Sequence, residues 1–127
     1  MSYFDITHAL TILRPTSHWA ISGEQVYSNL EWYSDDAKPT EDELNTELAR
    51  IEDEEKMTRL REERDKRLTA SDWVVTMHKE LGTNVPAAWK TYRQALRDLP
   101  SSATPILCDH VENEIGVKGV TWPTKPT

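Results

Sequence analysis

Two hydrophobic periods follow one another at the start of the chain. Residues 4–13, FDITHALTIL, place Phe4, Ala9, Leu10, Ile12 and Leu13 on one side of a helix. Asp5 stands where it can cap the start. Arg14-Pro15 stops the helix, because the residue before a proline avoids the α region. The next stretch, HWAISGEQVYSNLEWYS, changes to a period of two. Trp19 and Ile21 alternate with Ala20 and Ser22, and Val26, Ser28, Leu30 and Trp32 alternate with Tyr27, Asn29, Glu31 and Tyr33. That pattern predicts two strands around a Ser22–Gln25 turn. A lone hairpin is marginal in water, so the first helix has to cover one of its faces. Residues 1–38 thus read as a small α-β-β module.

A long charged segment follows. Asp35–Pro39 is a linker, and Thr40-Glu41-Asp42-Glu43 has the capping-box pattern. From there to Leu68 there is neither Gly nor Pro. A thin apolar stripe (Leu44, Leu48, Ile51, Met57, Leu60, Leu68) predicts a helix over residues 41–69, within a segment 39–69. Its first half is acidic and its second half holds Arg59, Arg61, Arg64, Lys66 and Arg67, an order that complements the helix dipole. Such a stripe is either a seam on the helix's own domain or a coiled-coil-like seam shared with copies or a partner. The second reading makes Leu48, Ile51, Met57 and Leu60 contact residues and admits a homo-oligomer. The stripe lapses at Asp53–Glu55, so it keeps no strict heptad and sets no oligomeric state.

Residues 70–127 read as a third, helical region. Ser71 or Asp72 is placed to cap a new helix, along which Trp73, Met77 and Leu81 fall at i, i+4 and i+8 with Val74 alongside. Gly82 suits a helix end, and Pro86 the first turn of the next helix. On that helix Trp89, Tyr92 or Arg93, Leu96 and Leu99 share a face, Lys90, Gln94 and Arg97 look away, and Pro100 ends it. Beyond, Ile115, Val117 and Val120 with Gly116 and Gly119 allow a short bent strand. The closing TWPTKPT is extended, with Trp122 in need of a place to pack. The fold class is α+β, mainly α: a small N-terminal helix and β-hairpin, a long charged central helix, and a small C-terminal helical domain with an extended Trp-Pro tail.

Composition narrows the function. A net charge of −7 over 127 residues disfavours a nucleic-acid partner, since a polyanion is repelled unless the basic residues are segregated. The single cysteine, Cys108, forms no internal disulfide. The first fifteen residues lack a basic leader pattern, and no apolar run is long enough for a membrane span, so a soluble, cytoplasmic protein is expected. No phosphate loop, nucleophile elbow or paired metal-ligand spacing is present. Cys108-x-His110 is one ligand pair without a second. The expectation is therefore no enzyme, no cofactor, no metal and no small-molecule substrate. Five Trp are many for this length, but Trp anchors cores and interfaces alike, so the count does not separate them.

Four pieces in order carry a resemblance: Arg64-Asp65-Lys66-Arg67-Leu68, Ser71-Asp72-Trp73, Trp89-x-x-Tyr92-Arg93-Gln94-Ala95-Leu96-Arg97-Asp98-Leu99-Pro100, and Trp122-Pro123-x-x-Pro126. Over about residues 60–126 the chain resembles the tail assembly chaperones of tailed bacteriophages, a family overlapping with tail fibre assembly proteins. LEWYSDDAKPTEDEL looks like a module that precedes the same domain in other phage proteins. One stretch departs from the family: VVTMHKELGTNV reads as helix where a polar, proline-containing loop is common. The resemblance implies a non-enzymatic protein in the host cytoplasm. It would bind a phage tail fibre or other tail protein, aid its folding or trimerisation, and either leave or stay in the virion tail. A permanent structural subunit of the fibre or baseplate is the alternative. Trp73, Trp89, Tyr92, Arg93, Leu96, Arg97 and Trp122 are the candidate protein-binding residues. The competing role for them is a mini-core, with Trp122 docked on the Trp73–Trp89 pair and Arg93 and Arg97 holding Asp72 and Asp98.

Overall fold

The computed structural model describes residues 4–127. They form two compact units that divide between Glu55 and Lys56, and the architecture is α+β, mainly α.

In the first unit, helix α1 (Ile6–Leu13) begins on a reciprocal cap. The Asp5 carboxylate accepts from the Thr7 amide at 2.9 Å, and the His8 ring accepts from the Asp5 amide. Arg14 ends it in a non-helical conformation ahead of Pro15, with its amide still bonded to the Leu10 carbonyl. Strands β1 (Trp19–Ile21) and β2 (Leu30–Trp32) pair antiparallel with Trp19 opposite Trp32 and Ile21 opposite Leu30. The second strand is shorter than its alternation predicts. Residues Tyr27–Asn29 form a 3-10 turn instead, closed by the Asn29 amide on the Val26 carbonyl and the Asn29 side chain on the Glu24 carbonyl. Local side-chain bonding of this kind competes with a sheet ladder. Tyr27 donates to the Pro39 carbonyl at 2.8 Å, which ties the turn to the linker. Ile6, Ala9, Leu10, Leu30 and Leu44 make the core, with Trp19, Ile21, Tyr27, Trp32 and Leu48 packed around it.

Helix α2 (Glu41–Leu81) starts where the Thr40 hydroxyl accepts from the Glu43 amide. It does not stop at residue 69 but runs through Ser71-Asp72-Trp73, so no new helix begins there. Ser71 is buried, its hydroxyl turned back onto the Leu68 carbonyl at 2.9 Å. A cap residue that finds partners inside the fold has no reason to break a helix. The end comes at Gly82, φ +70°: the Thr83 amide bonds to the His78 carbonyl and the Gly82 amide to the Lys79 carbonyl, a Schellman closure.

The rest of the second unit packs around the C-terminal part of α2. Helix α3 (Ala87–Ser102) follows Pro86 and runs past Pro100 rather than ending at it. Ser101 bonds back to the Asp98 carbonyl, and the Ala103 amide to that of Leu99, so the last turn is closed despite the missing proline donor. A two-residue strand, β3 (Ile106–Leu107), pairs antiparallel with β4 (Val117–Lys118); the first of these is absent from the sequence expectation. Arg59 on α2 holds this ribbon, donating to the carbonyls of Cys108 and Gly116 at 3.1 Å each. Leu60, Val74, Tyr92, Leu96, Cys108 and Val117 are the unit's buried apolar residues.

Candidate protein-binding surface

The end of α2 carries a row of apolar side chains that the unit does not bury. A spacing of four residues keeps neighbours on nearly one helical line. Trp73, Met77 and Leu81 occupy such a line and are 55%, 38% and 67% exposed. Ser71 and Val74 on the same helix are buried. Single exposed apolar residues are ordinary, and a row of three that contains a Trp is a candidate interaction surface.

The row is continued by α3. The Trp73 and Trp89 rings meet edge to face with centroids 6.1 Å apart, and Trp89 meets Tyr92 in the same manner at 6.0 Å. Such pairs hold ring orientation beyond what area burial alone does. Tyr92 is buried, Trp89 half-buried and Trp73 exposed, so three aromatics lead from the interior to the surface.

Arg93 fixes the two helices that carry these rings. It donates to the Leu68 carbonyl at 2.9 Å and to the Ser71 hydroxyl, and its guanidinium lies 2.9 Å from the Asp72 carboxylate. Arg97 behaves differently from expectation. It is exposed and bonds Gln94, whose amide also donates to Asp98 at 2.9 Å. Adjacent residues diverge by about 100° on a helix, whereas Gln94 lies three and four positions back and reaches both.

The remaining expected residues are dispersed. Leu60 and Leu96 are fully buried, Leu48 packs on the first unit's core, and Ile51 and Met57 are half-buried. Trp122 docks on the helical pair through α2, and not against the Trp73 or Trp89 rings. Its ring stacks on the Arg67 guanidinium, 4.2 Å to the centroid. Met77 and Leu81 are exposed beside Trp73, whereas the sequence pattern makes them only its helical neighbours. Their four-residue spacing was visible; which side of α2 stays open was not.

The reactive side chains are engaged elsewhere. Burial pushes the Cys108 thiol up from its ordinary range, and the His110 ring faces the Glu114 carbonyl at 3.0 Å. Among the described residues no group of three His, Cys, Asp or Glu side chains is arranged to hold a metal ion, and no helix is long and apolar enough to cross a membrane.

Residues 57–127 match the family model described as phage tail assembly chaperone protein. The match takes in the open row on α2, all of α3, the β3–β4 ribbon and the tail. No curated protein and no solved structure matches the chain.

Proposed function

We infer the partner from family: the chain belongs to the phage tail assembly chaperone family, and its client is a tail protein, the tail fibre polypeptide in the reading favoured here. The protein acts without catalysis, in the host cytoplasm during assembly. The row Trp73–Met77–Leu81, backed by Trp89, receives an apolar segment of the client that is still unpacked, shields it from aggregation and hands it on as the fibre folds and trimerises. The observation that carries this reading is a large apolar row left open on a helix pair that is otherwise well pinned. Large aromatic anchors in a rigid frame are what concentrate binding energy at protein interfaces.

Co-expression tests it. With the chaperone present, the tail fibre protein of the same phage should be recovered soluble and trimeric; without it, in the pellet. A fibre that folds equally well alone, together with stoichiometric recovery of this chain in purified particles, would identify a permanent structural subunit instead.

A further inference from the structure

The C-terminal segment Trp122-Pro123-Thr124-Lys125-Pro126-Thr127 lies beside α3 without regular structure. Among the described residues, no backbone–backbone hydrogen bond ties residues 119–127 to the rest of the chain. Pro123 and Pro126 are half-buried, whereas Thr124, Lys125 and Thr127 are exposed. An extended proline helix has three residues per turn, so positions i and i+3 share an edge. The burial of the two prolines fits such a segment lying with one edge on a surface. That surface is the Ala88, Thr91, Tyr92 and Ala95 side of α3, and about 550 Å³ remains open between it and the tail.

These features together describe a ligand class. Small side chains at 88, 91 and 95 let a backbone come close, and Tyr92 supplies an aromatic wall. Proline-x-x-proline segments bind grooves of this kind because their conformation is fixed in advance and little entropy is lost on docking. The chain's own tail is such a segment, but it seats imperfectly. It leaves volume unfilled, makes no backbone bond, and is anchored at its start by Trp122 on Arg67. Tyr92, which lines the groove, also meets Trp89 edge to face, and Trp89 meets Trp73 in the same way.

We propose that this α3 groove binds an extended proline-x-x-proline segment of the client tail protein, and that the chain's own C-terminal segment partly occupies it until the client displaces it. The identity of the client rests on the function proposed above; the ligand class rests on the seated tail.

The test uses a labelled peptide of sequence Trp-Pro-Thr-Lys-Pro-Thr and the full chain. A tethered tail competes at high effective concentration. A full-length Trp122→Ala, Pro126→Ala variant should therefore bind the peptide at least ten-fold more tightly than the natural sequence does. Adding Ala95→Arg, with the circular dichroism unchanged, should abolish binding. The complex with co-expressed tail protein should no longer take up peptide. Equal affinities with and without the native tail, or binding that survives Ala95→Arg, would overturn the proposal. So would a concentration-dependent dimer that Ala95→Arg dissolves, which would give the groove to a second copy's tail. A tail protein that co-purifies yet leaves peptide binding intact would overturn this proposal and spare the function. Failure to co-purify at all would remove the function, and the client assignment with it.

Discussion

Arg93 on α3 donates to the backbone carbonyl of Leu68 on α2 at 2.9 Å, across 25 positions of sequence. The carbonyl already serves its own helix and the Ser71 hydroxyl, so the guanidinium reads a site that only a helix with this exact partner alignment presents. Arg93 keeps only 12% of its side chain exposed, whereas its carboxylate partner Asp72 keeps 59%. The weight therefore lies on the bonds to Leu68 and Ser71 and not on the ion pair, which solvent screens.

Removing that side chain should loosen the helix pair. Hydrogen bonds from a charged group contribute roughly 1.5–3 kcal/mol, so Arg93→Ala should lower the stability of the α2–α3 pair by about that amount. Arg93→Lys should recover little, because an ammonium cannot reach three acceptors in a planar fork. Asp72→Asn should cost less than about 1 kcal/mol. Urea unfolding followed by tryptophan fluorescence ranks the three variants.

Two glycines separate strain from space. Both are left-handed, Gly82 at φ +70° and Gly116 at φ +85°. A Cβ at Gly82 meets nothing within 4 Å, whereas one at Gly116 lies 2.8 Å from the His110 ring and 3.0 Å from the Arg59 side chain. Gly82→Ala should cost about 1 kcal/mol of backbone strain. Gly116→Ala should cost about 1–3 kcal/mol more, since Arg59 must shift off the two carbonyls it holds. Thermal melts of the two variants should therefore differ, with Gly116→Ala the lower.

The cap of α1 titrates. The hydrogen bond from the Thr7 hydroxyl holds the Asp5 carboxyl below its ordinary value of 3.8. A carboxyl lowered in the folded state adds stability that is fully present above its unfolded value and is lost as the pH falls through the folded one. Asp5→Ala should cost about 1 kcal/mol at pH 7, and the gap between variant and natural sequence should close below pH 3.8. Unfolding midpoints at neutral and acid pH measure it.

What the sequence discloses follows the range of the interaction. Asp5, Thr40 and Gly82 are caps whose partners lie within a few residues, and each was legible from its neighbours alone. Ser71 carries the same local signal as a cap, yet it sits in mid-helix, because its second partner, Arg93, comes from 22 positions away. Val26–Asn29 alternate like a strand but turn, since the Asn29 side chain finds the Glu24 carbonyl. Ile106–Leu107 are too few for any period to show, and their pairing depends on Val117 and Lys118. The family resemblance was legible over the helix pair and tail. The open side of α2 was not, because spacing places Trp73, Met77 and Leu81 in a row without saying whether anything covers it. The destination of Trp122 was likewise set by Arg67, a residue that reads in sequence as one more charge on a solvated helix.

The open row Trp73–Met77–Leu81 is the proposed client surface. The most direct measurement is co-purification of the tail fibre protein with the natural chain and with Met77→Asp, Leu81→Asp. Both positions are exposed, so the variant should keep its melting temperature within the small range usual for surface substitutions, about 0.5 kcal/mol in stability. Replacing two apolar contacts of the proposed complex by carboxylates should cut the recovered fibre protein at least ten-fold. Undiminished recovery with the double variant, at unchanged stability, would contradict the assignment of Trp73, Met77 and Leu81 as the client surface.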